Sequence, residues 1–204
     1  VLVNSMKYVF DSLNIIVGQY GYQIDPNDYP LYMGINTEKL QELFKQQIKL
    51  DLTLDYLRNK TAELQIYLIK KNEKPSSSLT NFLQELKDNN LPIGIGTSSP
   101  RQRALDILDS MNLLQYFTII IDGDQIQNPK PHPETFLKVA EKLNYSPEKC
   151  FVFEDAKNGI DAAKSANMKV IAIETDFQNR EDLKKADMII KGFDEINIEI
   201  MKLL

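Results

Sequence analysis

Apolar positions in the first third of the chain recur at three- and four-residue steps. Met6, Val9, Phe10, Leu13, Ile16, Val17 and Tyr20 fall on one face of a helix. Asn4 or Ser5 is placed to cap its start and Gly21 to end it. Asp25-Pro26-Asn27-Asp28, with Pro30 close behind, reads as a turn. Leu40, Leu43, Phe44 and Ile48 predict a second helix, and Leu54, Leu57, Leu64 and Leu68 a third. The polar, Pro/Ser-rich run Lys71 to Ser78 reads as a linker or hinge.

From residue 79 onward, short apolar runs alternate with helical stripes. Helices are predicted around Leu79–Leu86, Ala104–Met111, Phe136–Leu143 and Ile160–Ala166, the third starting near Pro133. Strands are predicted at Leu91–Gly96, Phe117–Ile121, Cys150–Phe153, Val170–Ile173 and Met188–Ile190. The alternation predicts an α/β protein: a Rossmann-like parallel sheet flanked by helices, with an inserted α-helical cap domain. Sheets of this kind bind ligands at the carboxyl ends of their strands.

Composition narrows the function. With 204 residues and 43% hydrophobic content, the chain can bury a core without a metal or disulfide staple. Its single cysteine, Cys150, fits a reducing, cytoplasmic setting. A net charge of −5 and no basic stripe argue against nucleic acid. No apolar stretch reaches the roughly 18 residues a membrane helix needs, and no secretory leader opens the chain. The chain starts Val1-Leu2-Val3 without a methionine, so a preceding segment is expected.

Three predicted strand ends carry chemistry. The first leads into Thr97-Ser98-Ser99. The second leads to Asn128-Pro129-Lys130-Pro131-His132-Pro133. The third leads to Glu154-Asp155-Ala156-Lys157-Asn158-Gly159. Singly, each has a plain explanation: Thr97 as a helix cap, Lys130 as a solvated turn residue, Glu154-Asp155 as a dipole complement, and His132 as a turn residue between prolines. Together they supply a hydroxyl, a cation and paired carboxylates, which a phosphoryl site needs.

In these motifs the chain resembles the haloacid dehalogenase superfamily, in the branch that includes β-phosphoglucomutase and phosphoglycolate phosphatase. The resemblance implies a core of residues 1–4 and 76–204, and a helical cap of residues 5–75. It implies Mg²⁺-dependent hydrolysis of a small phosphorylated metabolite through an aspartyl-phosphate. Thr97 and Ser98 would hold phosphate oxygens, Lys130 would neutralise charge, and Glu154 and Asp155 would bind Mg²⁺. Met33, Gly34 and Ile35 would form the substrate loop of a cap that closes over the site. A monomer or weak dimer is expected. The family's first strand, with its Asp-x-Asp nucleophile, is not among residues 1–10. If that strand is truly absent, a phosphate-binding relative without catalysis is the alternative. Phosphosugar mutase activity is a further alternative. Against it, Val9 and Thr37 stand where the mutase has a cap histidine and arginine.

Overall fold

The computed structural model describes residues 1–3, 5–32, 35–175 and 179–204. Contacts divide the chain into two units: Val1–Leu2 with Lys74–Leu204, and Val3–Glu73. Among the described residues, no helix is long and apolar enough to cross a membrane.

In the smaller unit lie α1 (Ser5–Gly18), α2 (Tyr29–Tyr32), α3 (Thr37–Gln47) and α4 (Leu54–Asn72). Two starts are capped by side chains. Asn36 Oδ1 accepts the Lys39 N–H at 2.8 Å, and Thr53 Oγ1 accepts that of Tyr56 at 3.2 Å. Leu13, Ile16 and Val17 of α1 bury against Phe44 of α3 and Leu57 of α4. The buried line of α4 is Leu57, Gln65 and Ile69, with Leu64 and Leu68 only half-buried. The apolar pattern misplaces this face slightly because a polar residue, Gln65, occupies its middle.

The boundary between the two units falls inside the predicted linker, whose middle, residues 73–76, is not helical and whose two ends are. The fourth helix runs to Asn72, and α5 (Ser77–Asp88) starts five residues later. The serine run serves as its cap: Ser76 Oγ accepts the Leu79 N–H at 3.1 Å.

The larger unit continues with β1 (Gly94–Gly96), α6 (Arg101–Ser110), β2 (Ile119–Ile121), α7 (Glu134–Leu143) and β3 (Phe151–Glu154). After these come α8 (Lys157–Ser165), β4 (Lys169–Ile173), β5 (Met188–Ile190) and α9 (Ile198–Met201). All five predicted strands form, and every pairing is parallel. They do not form one continuous sheet. One sheet is β1–β2, with Gly94 opposite Ile119; the other is β3–β4–β5, with Phe151 opposite Lys169. Parallel strands are normally buried on both faces. The central β4 obeys this rule, whereas β1 and alternate residues of β3 are only half-buried.

Four helices of this unit end the same way. Asn90, Asn112, Asn144 and Asn167 all have φ between 54° and 60°. Each is followed by a residue whose N–H reaches back five positions: Leu91 to Leu86, Leu113 to Leu108, Tyr145 to Ala140 and Met168 to Ala163. These are Schellman closures with asparagine in the left-handed position glycine usually takes. In the smaller unit Gly21, at φ 81°, closes α1 likewise, with Tyr22 N–H on the Val17 carbonyl.

The left-handed backbone gives a direct test. Asn144→Gly should shift the urea unfolding midpoint little. Asn144→Val should lower stability by about 1–2 kcal/mol, the cost of a β-carbon in that conformation. Equal stability of the two variants would remove asparagine from this role.

Candidate active site

The site is built at the carboxyl ends of β1 and β3, around Lys130. This residue lies in the connection between β2 and α7. Its ammonium donates to Glu154 Oε1 at 2.5 Å and to the Gly96 carbonyl at 3.2 Å. It also sits 4.3 Å from the centre of the Phe136 ring. The Lys130 and Glu154 side chains are 12% and 10% exposed. The plain solvated-turn reading of Lys130 therefore fails: the charge is withdrawn from solvent and paired.

Glu154 ends β3 and folds back on its own turn. Its Oε2 accepts the N–H groups of Asp155 at 3.1 Å and Ala156 at 3.4 Å. Beneath it lies Gly159, in the first turn of α8. A β-carbon at 159 would overlap the Glu154 carboxyl carbon and both its oxygens. The early glycine is thus what lets the carboxylate lie against the helix. The capping position of α8 is Ala156, with no side-chain capping bond, so Glu154 and Asp155 do not form a conventional helix cap. Asp155 is more open, with a side chain 32% exposed. Its Oδ2 lies 2.9 Å from the α-amino nitrogen of Val1.

Thr97 extends the β1–β2 ladder by donating its N–H to the Ile121 carbonyl at 2.9 Å. Its Oγ1 accepts the Ser99 N–H at 3.1 Å, a tight local turn that leaves the hydroxyl hydrogen able to donate elsewhere. It is not the cap of α6. That position belongs to Pro100, with no side-chain capping bond. The loop after β1 is tied to the loop after β2. The Gly123 N–H donates to the Ser99 carbonyl at 2.9 Å. The Arg101 guanidinium reaches the fully buried Asp122 at 3.1 Å, and the Arg101 N–H reaches Asp124 at 3.1 Å.

Thr97, Ser98, Lys130, Glu154 and Asp155 all line one cavity of about 450 Å³. The same cavity runs down between β1 and β3, with apolar side chains of α5 and α7 among its walls. Among the described residues, β1 pairs only with β2, and β3 only with β4 and no other strand. Each therefore turns one backbone edge toward the cavity, a slot shaped for an extended segment that is apolar on both faces.

Among the described residues, no group of three or more His, Cys, Asp and Glu side chains could hold a metal ion. The two site carboxylates differ in fitness for one. Both Glu154 oxygens are engaged, by Lys130 and by backbone N–H groups. Asp155 has the more accessible oxygens. As an oxygen donor it suits a hard cation that keeps several waters, so it fits Mg²⁺ as a single protein ligand.

Other expected residues fall elsewhere. His132 is an exposed turn residue whose Nδ1 accepts the Glu134 N–H at 3.3 Å. Ile35 packs half-buried against the smaller unit's own apolar cluster. Met33 and Gly34 lie outside the described residues. Phe136 under the lysine and the Arg101–Asp122 tie escape a reading by motif. The first appears as one more position in an apolar stripe, and the second joins residues 21 apart in sequence.

Comparison with known proteins gives the family. Residues 1–173 match the haloacid dehalogenase-like hydrolase family. A phosphorylated carbohydrates phosphatase of Thermotoga maritima is 29% identical over 171 residues, 84% of this chain and 79% of its own. The phosphoglycolate phosphatase of Escherichia coli K12 is 31% identical over 120 residues, 58% of this chain and 48% of its own. The crystal structure of β-phosphoglucomutase from Clostridium difficile superposes with a TM-score of 0.76 at 26% identity, covering 100% of this chain and 92% of that one. A family match over most of the chain, on a fold with motif residues gathered at strand ends, shows that the chain belongs to the haloacid dehalogenase-like hydrolases.

Proposed function

We propose that the protein hydrolyses a small phosphorylated metabolite of the sugar-phosphate or phosphoglycolate kind, with Mg²⁺ at Asp155. The observation that carries this reading is the placement of Lys130. One withdrawn ammonium stands where the carboxyl ends of β1 and β3 meet, in the same cavity wall as Thr97, Ser98 and Asp155. The phosphatases to which the chain is similar supply the substrate class.

In this mechanism the Thr97 hydroxyl and the Ser98 N–H hold oxygens of the transferring phosphoryl group. Lys130 neutralises charge that builds on those oxygens. Asp155 would hold Mg²⁺, which would supply positive charge to shield the phosphate from an anionic nucleophile. Glu154 holds Lys130 in place. The family nucleophile is an aspartate. The cavity lining holds Glu154 and Asp155, and both already have roles. A strand laid in the slot between β1 and β3 would bring its carboxyl end beside Lys130, Asp155 and the Val1 nitrogen, the place from which an aspartate would attack. A second reading, phosphate binding without turnover, rests on the lining itself: among the described residues it offers no carboxylate beyond Glu154 and Asp155. Mutase activity has no support from Val9 and Thr37, which supply neither the imidazole nor the guanidinium expected there.

The purified protein's intact mass and its phosphate release, from sugar phosphates and phosphoglycolate with Mg²⁺, separate these readings. Turnover is expected only from protein heavier than 23.5 kDa by at least a strand. Turnover at 23.5 kDa would sink the slot-borne nucleophile. In the active protein, Thr97→Ala and Lys130→Ala should each lower the rate by about 10²–10³. Lys130→Ala also strands a buried carboxylate, at a cost of roughly 3–5 kcal/mol, so Thr97→Ala is the cleaner measurement. An unchanged rate in Thr97→Ala would remove the hydroxyl from the mechanism. Gly159→Ala should displace Glu154, lower the melting temperature and lower phosphate release. A variant crystal structure with the Lys130–Glu154 pair intact would count against the role given to the glycine.

A further inference from the structure

The connection that carries Lys130 has no strand or α-helix from Ile126 to Pro133, yet it must deliver an ammonium to one spot. Its backbone bonds go largely to one side chain. Glu134, the first residue of α7, accepts the Gln127 N–H on Oε1 at 3.0 Å. Its Oε2 accepts the Asn128 N–H and the Asn128 side-chain amide, both at 2.9 Å. Lys138, one turn further along α7, donates to Glu134 Oε1 and to the Gln125 carbonyl, both at 2.7 Å. The carboxylate thus closes a ring from Gln127 to Glu134, with Lys130 on the far side. Inside the ring, the His132 N–H donates to the Pro129 carbonyl at 3.0 Å. Four donors converge on one carboxylate. The Lys138 ammonium foremost, and then the amides, hold its pKa down to about 2. The bonds to the ionised form are complete above the ordinary carboxylate range and are lost only as pH falls through about 2, so the ring is closed at any pH suited to assay.

We infer that Glu134 is a positioning residue: by clamping the ends of this loop it fixes the Lys130 ammonium at the carboxyl ends of β1 and β3. Glu134 is not among the residues lining the cavity, so it acts through the lysine and not on a ligand. Its effect on phosphate rests on the function proposed above, whereas its effect on Lys130 does not.

Two readouts keep these apart. The first is the NMR signal of the Lys130 ammonium, held by Glu154 in the wild-type protein. Glu134→Gln keeps the shape but presents an amide hydrogen where a donor now points. It should broaden or shift this signal, and Glu134→Asp should restore part of it. An unmoved signal overturns the inference, whether or not phosphate binds. The second is the Kd for inorganic phosphate with Mg²⁺, measured well below the melting temperature. Glu134→Gln should weaken binding roughly ten-fold, the scale on which outer partners of ligating side chains act. In a Lys130→Met background the same substitution should change Kd by less than two-fold. A ten-fold loss that persists without the lysine would mean Glu134 acts by another route and would overturn the inference. Failure of the wild-type protein to bind phosphate would sink the proposed function alone, leaving the ammonium signal to decide the role of Glu134.

Discussion

Lys130 holds together two strand ends that have no backbone bonds to each other. Its ammonium bridges the Gly96 carbonyl at the end of β1 and the Glu154 carboxylate at the end of β3, strands that belong to separate sheets. Neither partner is well solvated, so the pair offsets two desolvation costs at once, and losing either member would leave a charge in a poor environment. Much of the neighbouring architecture serves this contact. Gly159 gives the carboxylate room, Phe136 lends the ammonium an aromatic face, and Glu134 fixes the loop from which the lysine reaches.

Local structure was largely legible in the sequence. Apolar runs of β-branched residues marked the strands, and three- and four-residue steps marked the helices. The strand-end motifs pointed to one cavity, and the five core residues they contain do share one. Three things were not legible, each for a physical reason. The one helix end expected, at Gly21, is found there, but the ends at Asn90, Asn112, Asn144 and Asn167 carry no glycine to mark them, since the asparagines take the left-handed backbone themselves. The run from Lys71 to Ser78 does hold the boundary between the units, but its second role, Ser76 capping α5, is hidden because a capping serine and a flexible serine have the same composition. Glu134 was invisible because its partners are backbone amides of a loop, and no residue pattern records which amides a carboxylate will meet.

Periodicity also cannot report which strands are neighbours. The sequence predicts five parallel strands and the described residues contain all five, but their division into two and three is a property of pairing, not of pattern. The half-buried Phe151 and Phe153 share one face of β3, packed in the cluster with Phe82 and Ile171, and the buried Val152 and Glu154 share the other. Alternation reports the two faces of a strand, not which of its edges is paired.

The open edges carry a cost of another kind. Backbone amides and carbonyls that face a slot are a template for any extended chain that reaches them, including the same strand of another copy. Native sheets blunt such edges with charge, proline or brevity. Here β1 is only three residues long and two of them are glycine, a poor template, whereas β3 reads Phe-Val-Phe-Glu and is a better one. With Glu154 as its only charged residue, β3 depends on the Lys130 pair at its end and on whatever fills the slot to keep that edge from pairing with another chain.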